Sequence, residues 1–307
     1  MKTSDPFKAL TLAVAPDDNA LLIGGDVWPQ AVDRRNPKLA AWPDAARRYR
    51  TVAVRLPKAK DEMQMALHAA ASVLSPDGAL YLFGGNDEGI GSAAKPLYGL
   101  FADVETAAIK HHARVYRASR LKPDVAVRGA VTDWRRSFAF ECGGETFAHV
   151  TYPGVFAKER LDAGTALLLA HLPALSGRVL DFGAGSGPIA QVIRARQPDA
   201  EIVMADIDAI ALTAAAENVP GARTVQVRGI ADLEGETFDA IVSNPPVHTG
   251  VAQDFTMLRD LVDARRTMLR RGGQMVLVVQ SKVPLQDIAA DARKVVSEDG
   301  YAVWTLA

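Results

Sequence analysis

A chain of 307 residues is longer than one hydrophobic core requires, so two domains of roughly 150 residues each are the first expectation. With 49% hydrophobic and 23% charged residues the composition is that of an ordinary globular protein, which excludes long disorder. The net charge of −1 excludes an overall basic nucleic-acid binder, yet residues 1–150 carry a surplus of three positive charges and residues 151–307 a surplus of four negative ones, so a phosphate-rich partner suits the first half better. The start, residues 1–6, lacks the apolar core of a secretory signal, and no run of about 18 apolar residues offers a membrane span. The expectation is a cytoplasmic protein without membrane contact. The single cysteine, Cys142, excludes an internal disulfide and a multi-thiolate metal site, and no metal is expected.

In chain order, candidate strands fall at 20–23, 51–55 and 79–83, with helical stretches between them. Two end in paired glycines, Gly24-Gly25 and Gly84-Gly85, but neither pair is followed by a third spaced glycine opening a helix. This half reads as an α/β domain without a working cofactor loop. A linker is expected within 126–153, where Trp134, Phe138, Phe140 and Phe147 alternate with polar residues as in short strands. Beyond it, strands at 178–182, 201–205, 224–227, 238–243 and 274–280 alternate with helices at 188–196, 208–218 and 254–269. The last segment predicts a helix over 283–296 and then a single strand over 301–307, which would leave the sheet edge short. Strand-then-helix alternation gives a mostly parallel sheet, and such sheets bind ligands along the C-terminal strand edge.

The run Val179-Leu180-Asp181-Phe182-Gly183-Ala184-Gly185-Ser186-Gly187 lies where the first of these later strands turns into a helix. Glycines there let the backbone approach a nucleotide that a Cβ would exclude. Dinucleotide enzymes use related spacing, with pyrophosphate at the helix N-terminus. Asp181 repels a pyrophosphate but can hold the ammonium of a methionine moiety, directly or through water, so the expected cofactor is S-adenosyl-L-methionine, leaving as S-adenosyl-L-homocysteine. Asp206 ends the next strand and can accept from both ribose hydroxyls, with Ile207 beside it. Asp208 is better placed as a helix cap. Asp232, on the loop after the third strand, is the adenine-side candidate, against the alternative of a solvated loop charge.

Asn244-Pro245-Pro246 follows a buried strand one place away on the same edge. Methylating an exocyclic amine requires its lone pair, delocalised into the ring, to be turned toward the methyl group. The Asn244 side-chain oxygen and the Pro245 carbonyl can each take one N–H, aligning the nitrogen and accommodating the positive charge that develops. The prolines remove local donors and stiffen the loop. Asn244 thus belongs to the catalytic set and, with Asp181, Gly183, Ala184, Gly185, Gly187, Asp206, Ile207 and Asp232, to the cofactor set. His248 is a secondary candidate on the substrate side.

On these residues the chain resembles the bacterial ribosomal RNA guanine-N2-methyltransferases of the RsmC type. The resemblance includes Tyr152-Pro153-Gly154-Val155-Phe156, Leu161-Asp162-Ala163-Gly164-Thr165, Asn244-Pro245-Pro246-Val247-His248-Thr249-Gly250 and, in the first half, residues 84–95. It implies two Rossmann-like class I methyltransferase domains in tandem, a degenerate one over 1–140 that supports folding and positions RNA, and a catalytic one over 150–307. It also implies ribosomal RNA or a ribosomal subunit precursor as partner. The protein itself is expected to be a monomer or weak dimer. Val247 stands where the family usually has an aromatic that stacks on the flipped base, a contact worth about 1–3 kcal/mol. Phe156 is the first candidate to supply that face and Phe255 the second. Asparagine-diproline loops also serve adenine N6 and protein glutamine. A reading from another class is a ribosome-assembly factor that keeps the pocket without turnover.

Overall fold

The computed structural model describes residues 4–15, 17–24, 33–35, 42–157, 159–245, 248–249 and 253–307; for 33–35, 248–249 and 253–254 it describes the backbone. The chain divides into two compact units, Met1–Arg135 and Arg136–Ala307.

The first unit comprises α1 (Pro6–Ala13), β1 (Ala20–Ile23), β2 (Asp33–Arg35), β3 (Tyr49–Arg55), α2 (Lys60–Ser72), β4 (Leu74–Gly85), α3 (Lys95–Leu100), β5 (Phe101–Lys110) and β6 (Ala113–Leu121). Among the described residues its sheet has the order β2-β1-β3-β4-β6-β5, with β1 to β4 parallel and the β5–β6 hairpin antiparallel. Leu21, Val52, Val54, Leu80 and Leu82 meet α2 on one face; Leu22, Ala53, Phe83 and Val115 meet α1 on the other. Near-continuous apolar strands are what burial on both faces requires.

The second unit opens with a hairpin, β7 (Arg136–Cys142) and β8 (Glu145–Thr151), closed by Gly143 and Gly144 at φ 62° and 82°. Its phenylalanines, read above as linker strands, pack inward as part of this unit's core. There follow α4 (Ala163–Ala170), β9 (Arg178–Phe182), α5 (Pro188–Arg196), β10 (Glu201–Asp206), α6 (Ala209–Asn218), β11 (Arg223–Gln226), β12 (Phe238–Ser243), β13 (His248–Thr249), β14 (Gln253–Asp254), α7 (Thr256–Met268), β15 (Leu269–Gln280), α8 (Leu285–Ile288), β16 (Arg293–Glu298) and β17 (Tyr301–Leu306). The sheet order among the described residues is β11-β10-β9-β12-β15-β17-β16, parallel through β15 and antiparallel in the last two strands. The strand order reverses at β9, whose neighbours are β10 and β12, and this is where an open sheet leaves a crevice. Buried Leu258, Leu261, Val262 and Met268 form the apolar stripe of α7. Arg265 sits within it, its guanidinium clamped on Asp291 at 2.6 and 2.7 Å.

The expected helix over 283–296 and the short sheet edge are both corrected by the structure. Only Leu285–Ile288 is helical, and residues 293–306 form a hairpin. Asp299 and Gly300 turn the chain at φ 47° and 81°, the left-handed pair that a two-residue hairpin turn demands and Asp-Gly supplies. The edge strand β16 exposes Arg293, Lys294 and Glu298, charges that discourage pairing with a further strand.

Candidate active site

The glycine loop leaves β9 and enters α5, which begins with Pro188, a residue whose missing N–H has no intrahelical partner at that position. Gly185 and Gly187 both lie in the left-handed region, at φ 56° and 84°. A Cβ at Gly185 would meet nothing within 4 Å, so this part of the loop faces open space. A Cβ at Gly187 would press on Met204 Sδ at 3.1 Å and Ala215 at 3.4 Å, so this glycine allows α5 and α6 to approach. Gly183 and Ala184 donate to the carbonyl of Ala205, at 2.8 and 3.1 Å, tying the loop to β10.

Asp181 is fully buried in the sheet. Its Oδ2 accepts the Ala190 N–H at 3.2 Å, while Oδ1 has no partner. Burial pushes the carboxyl up to about 7. An orphaned buried oxygen on the strand that leads into the glycine loop can answer a cation such as an ammonium, directly or through water. Asp206, half-buried at the end of β10, braces the loop from the other side. It accepts the Gly185 N–H at 2.7 Å through Oδ2 and the Asp208 N–H at 2.9 Å through Oδ1, and a carboxylate retains further lone pairs for ribose hydroxyls. Asp208 caps α6 through Ile210 and Ala211. Ile207 is 40% exposed on the same edge. Asp232 is exposed and accepts the Arg228 N–H at 2.6 Å, so its carboxylate closes its own turn.

One strand away, Ser243 Oγ donates to the Phe182 carbonyl at 2.6 Å and locks the end of β12 to the end of β9. Asn244 follows directly. Its Nδ2 lies 2.9 Å from Asp162 Oδ2 and 2.9 Å from Thr165 Oγ1. Asp162 Oδ2 already accepts the Thr165 backbone N–H at 3.0 Å as the N-cap of α4, so the amide facing it must present its NH₂ group. The side-chain oxygen of Asn244 is thereby fixed as an acceptor on the opposite side. Sequence reasoning missed Asp162 and Thr165 as holders of this amide. The available signal was Asp-x-x-Thr at a helix start.

Pro245 is buried, whereas Pro246 and Val247 lie outside the described residues. His248 is described through its backbone, which pairs with Asp254. Phe156 is 70% exposed and lines a cleft of about 750 Å³ with Arg160, Leu161, Asp162 and Tyr301. Asp162 therefore both borders this cleft and holds Asn244. Phe255, the second candidate for a stacking face, packs against the core beside α7. Among the described residues no group of three metal-ligating side chains converges.

The Methyltransferase small domain family matches residues 146–304, just over half of the chain, and its N-terminal counterpart matches residues 30–138. The ribosomal RNA small subunit methyltransferase C of Shewanella baltica is 34% identical over 247 residues, spanning 79% of this chain and 70% of that protein. The chain belongs to the ribosomal RNA small subunit methyltransferase C family. Its namesake from a further Shewanella strain is 32% identical over 296 residues, covering 92% of this chain and 84% of its own length. The fold agrees as well. The 16S rRNA N2 methyltransferase (RsmC) of T. thermophilus, solved with AdoMet and guanosine, superposes with a TM-score of 0.78 over 98% of this chain and 91% of that one, at 22% identity. Two methyltransferase domains in tandem, a family trait, are thus present in this chain.

Proposed function

We propose that this protein transfers a methyl group from S-adenosyl-L-methionine to the exocyclic N2 of a guanine in small-subunit ribosomal RNA. The observation that carries the reading is the Asn244 amide, held by Asp162 and Thr165 through its NH₂ so that its oxygen is turned away from them as an acceptor, one strand from an open glycine loop. Membership of the ribosomal RNA methyltransferase family supports the class of acceptor.

The bound cofactor supplies an electrophilic methyl group. Asp181, Gly185 and Asp206 would hold it, Asp181 serving the ammonium directly or through water and Asp206 accepting from the ribose hydroxyls. Asn244 Oδ1 and the Pro245 carbonyl take the two amine hydrogens, which pulls the nitrogen out of conjugation and aims its lone pair. They also stabilise the charge that grows on nitrogen, so no strong base is needed until the product loses its proton. Phe156, at the mouth of the cleft, offers a stacking face for a base turned out of its helix. The first domain is assigned to RNA positioning and to support of the second. The setting inferred is the cytoplasm, with ribosomal RNA or a subunit precursor as partner.

Incubation with radiolabelled cofactor and ribosomal RNA from a strain lacking the modification tests the reading. Label in N2-methylguanosine is expected, and transfer only to protein, adenine or DNA would sink it. Asn244→Ala is expected to lose about 100-fold or more in kcat with cofactor-product affinity retained.

A further inference from the structure

His149 is a buried titratable group, 1% exposed, to which the proposed methyl transfer gives no part. It lies on β8, with the rings of Phe138 and Phe140 edge-on at centroid distances of 5.1 and 5.7 Å. Its Nδ1 is 2.7 Å from Gln191 Oε1, and Gln191 Nε2 donates to the Ala148 carbonyl at 2.8 Å. A carbonyl can only accept, so the Gln191 amide is fixed with its oxygen toward the imidazole, and Nδ1 must carry the hydrogen. In the neutral ring Nε2 is then a bare acceptor. Ser186 Oγ lies 2.8 Å from it and donates. Burial pushes the imidazole below its usual range, which favours this neutral form.

Ser186 is the residue between Gly185 and Gly187. Asn218, at the end of α6, bonds the Ser186 carbonyl at 2.8 Å and the backbone of Val150 at 2.7 and 2.9 Å, and its Nδ2 also lies 3.3 Å from His149 Nε2, a second donor to that bare nitrogen. The loop is therefore gripped from two sides. Asp206 holds the Gly185 N–H from the sheet edge, while His149 and Asn218 hold Ser186 from the hairpin. With two left-handed glycines flanking it, Ser186 has little local stiffness of its own. If the imidazole acceptor is removed, the Ser186 hydroxyl is left buried without a partner in the loop that must present its N–H groups to the ligand.

We propose that His149, as the neutral Nδ1–H tautomer, is a positioning residue for the methyl-donor loop, so that the β7–β8 hairpin is a working part of the cofactor site. This rests on the reading of that loop as a cofactor loop. The test is calorimetric titration of S-adenosylhomocysteine into the full chain, below the melting temperature of each variant. His149→Phe and Ser186→Ala are each expected to raise Kd by about tenfold, the size of one buried hydrogen bond. The double variant binds no more weakly than the worse single one. His149→Gln, whose Oε1 can take the place of Nε2 as acceptor, returns Kd to within about threefold of wild type. A His149→Phe protein with a lowered melting temperature but unchanged Kd, or two effects that multiply, would overturn the proposal. Long-range nitrogen-15 spectra of the unliganded protein read the tautomer directly. A protonated Nδ1 with a bare Nε2 is expected, and the reverse overturns it. That readout needs no ligand, so the two failures are distinguishable: a wild type that bound no cofactor product would sink the functional reading and this role with it, whereas a wild type that bound it with the reverse tautomer or an unchanged His149→Phe Kd would sink this role alone.

Discussion

Replacing Asp181 by Asn removes a charge from the interior of the sheet, and its effect on folding can be worked out before any cofactor is added. The carboxyl is fully buried between β10 and β12, with one oxygen on the Ala190 N–H and the other unpartnered. Burial lifts it from the usual 3.8 to about 7. Between those values the folded protein binds a proton that the unfolded chain has released, so stability falls as pH rises through this window. A shift of about three units corresponds to about 4 kcal/mol, lost in full above pH 7.

Asparagine lacks that titration but leaves a buried NH₂ in place of Oδ1, at a cost of about 1–3 kcal/mol at every pH. The two effects have opposite signs. Asp181→Asn is therefore expected to be less stable than wild type near pH 4 and more stable by about 1–3 kcal/mol at pH 8, with a crossing between. Urea denaturation of both proteins across this range measures it, since other titrating groups cancel in the difference. A stability difference that does not change with pH would refute the reasoning. Affinity for the cofactor product should move the other way, the Asn variant binding more weakly above pH 7, where wild type presents a full carboxylate to the ammonium.

Asp162→Ser keeps a side-chain cap on α4 but withdraws the carboxylate from Asn244; kcat on RNA should fall about tenfold with cofactor-product affinity within threefold, whereas Asp162→Asn, whose oxygen still accepts from both groups, should stay near wild type. Gly187→Ala forces a Cβ into a left-handed residue against Met204 Sδ and should cost about 2 kcal/mol in urea denaturation. His149 is held below its usual 6.5 by burial, so the unfolded chain takes up its proton first as pH falls. Wild type should therefore lose stability below about pH 6.5 more steeply than His149→Gln, as read from melting temperatures in matched buffers.

The parts of the fold that repeat a local rule were legible in the sequence. The strands at 178–182, 201–205 and 238–243 were readable because each apolar run stops at Gly, Asp or Asn, a pattern that needs no knowledge of distant residues. The C-terminal hairpin was hidden because residues 283–296 also offer helical spacing. The Asp299-Gly300 turn, which decides between the two, lies beyond the segment it governs. The site divides in the same way. Asp181, the glycines, Asp206 and Asn244 are contiguous with recognisable strand ends. Asp162 lies 82 positions from the amide it holds and His149 lies 37 from Ser186, so only the folded chain brings these pairs together. Pro246 and Val247, which follow the two acceptors Asn244 and Pro245, lie outside the described residues.

The two units supply their own comparison. From the point where each begins its shared order, β1-β3-β4-β6-β5 in the first corresponds to β9-β12-β15-β17-β16 in the second, three parallel strands and an antiparallel hairpin. On that correspondence β3 matches β12, and the position just at its end is Arg55 where the second unit has Asn244. Arginine has five N–H donors and no acceptor, so it can take neither hydrogen of an amine. Arg55 is instead turned onto Glu88, whose other oxygen accepts the Gly85 N–H at 2.6 Å, and a Cβ at Gly84 would meet Leu56 at 2.8 Å. At the described end of β3, then, an arginine paired with a carboxylate stands where the second unit has an amide. The same strand order thus carries different chemistry in the two units, and the described difference lies in the residues at the strand ends. One places an acceptor beside an open loop; the other places a cation that must find its own carboxylate.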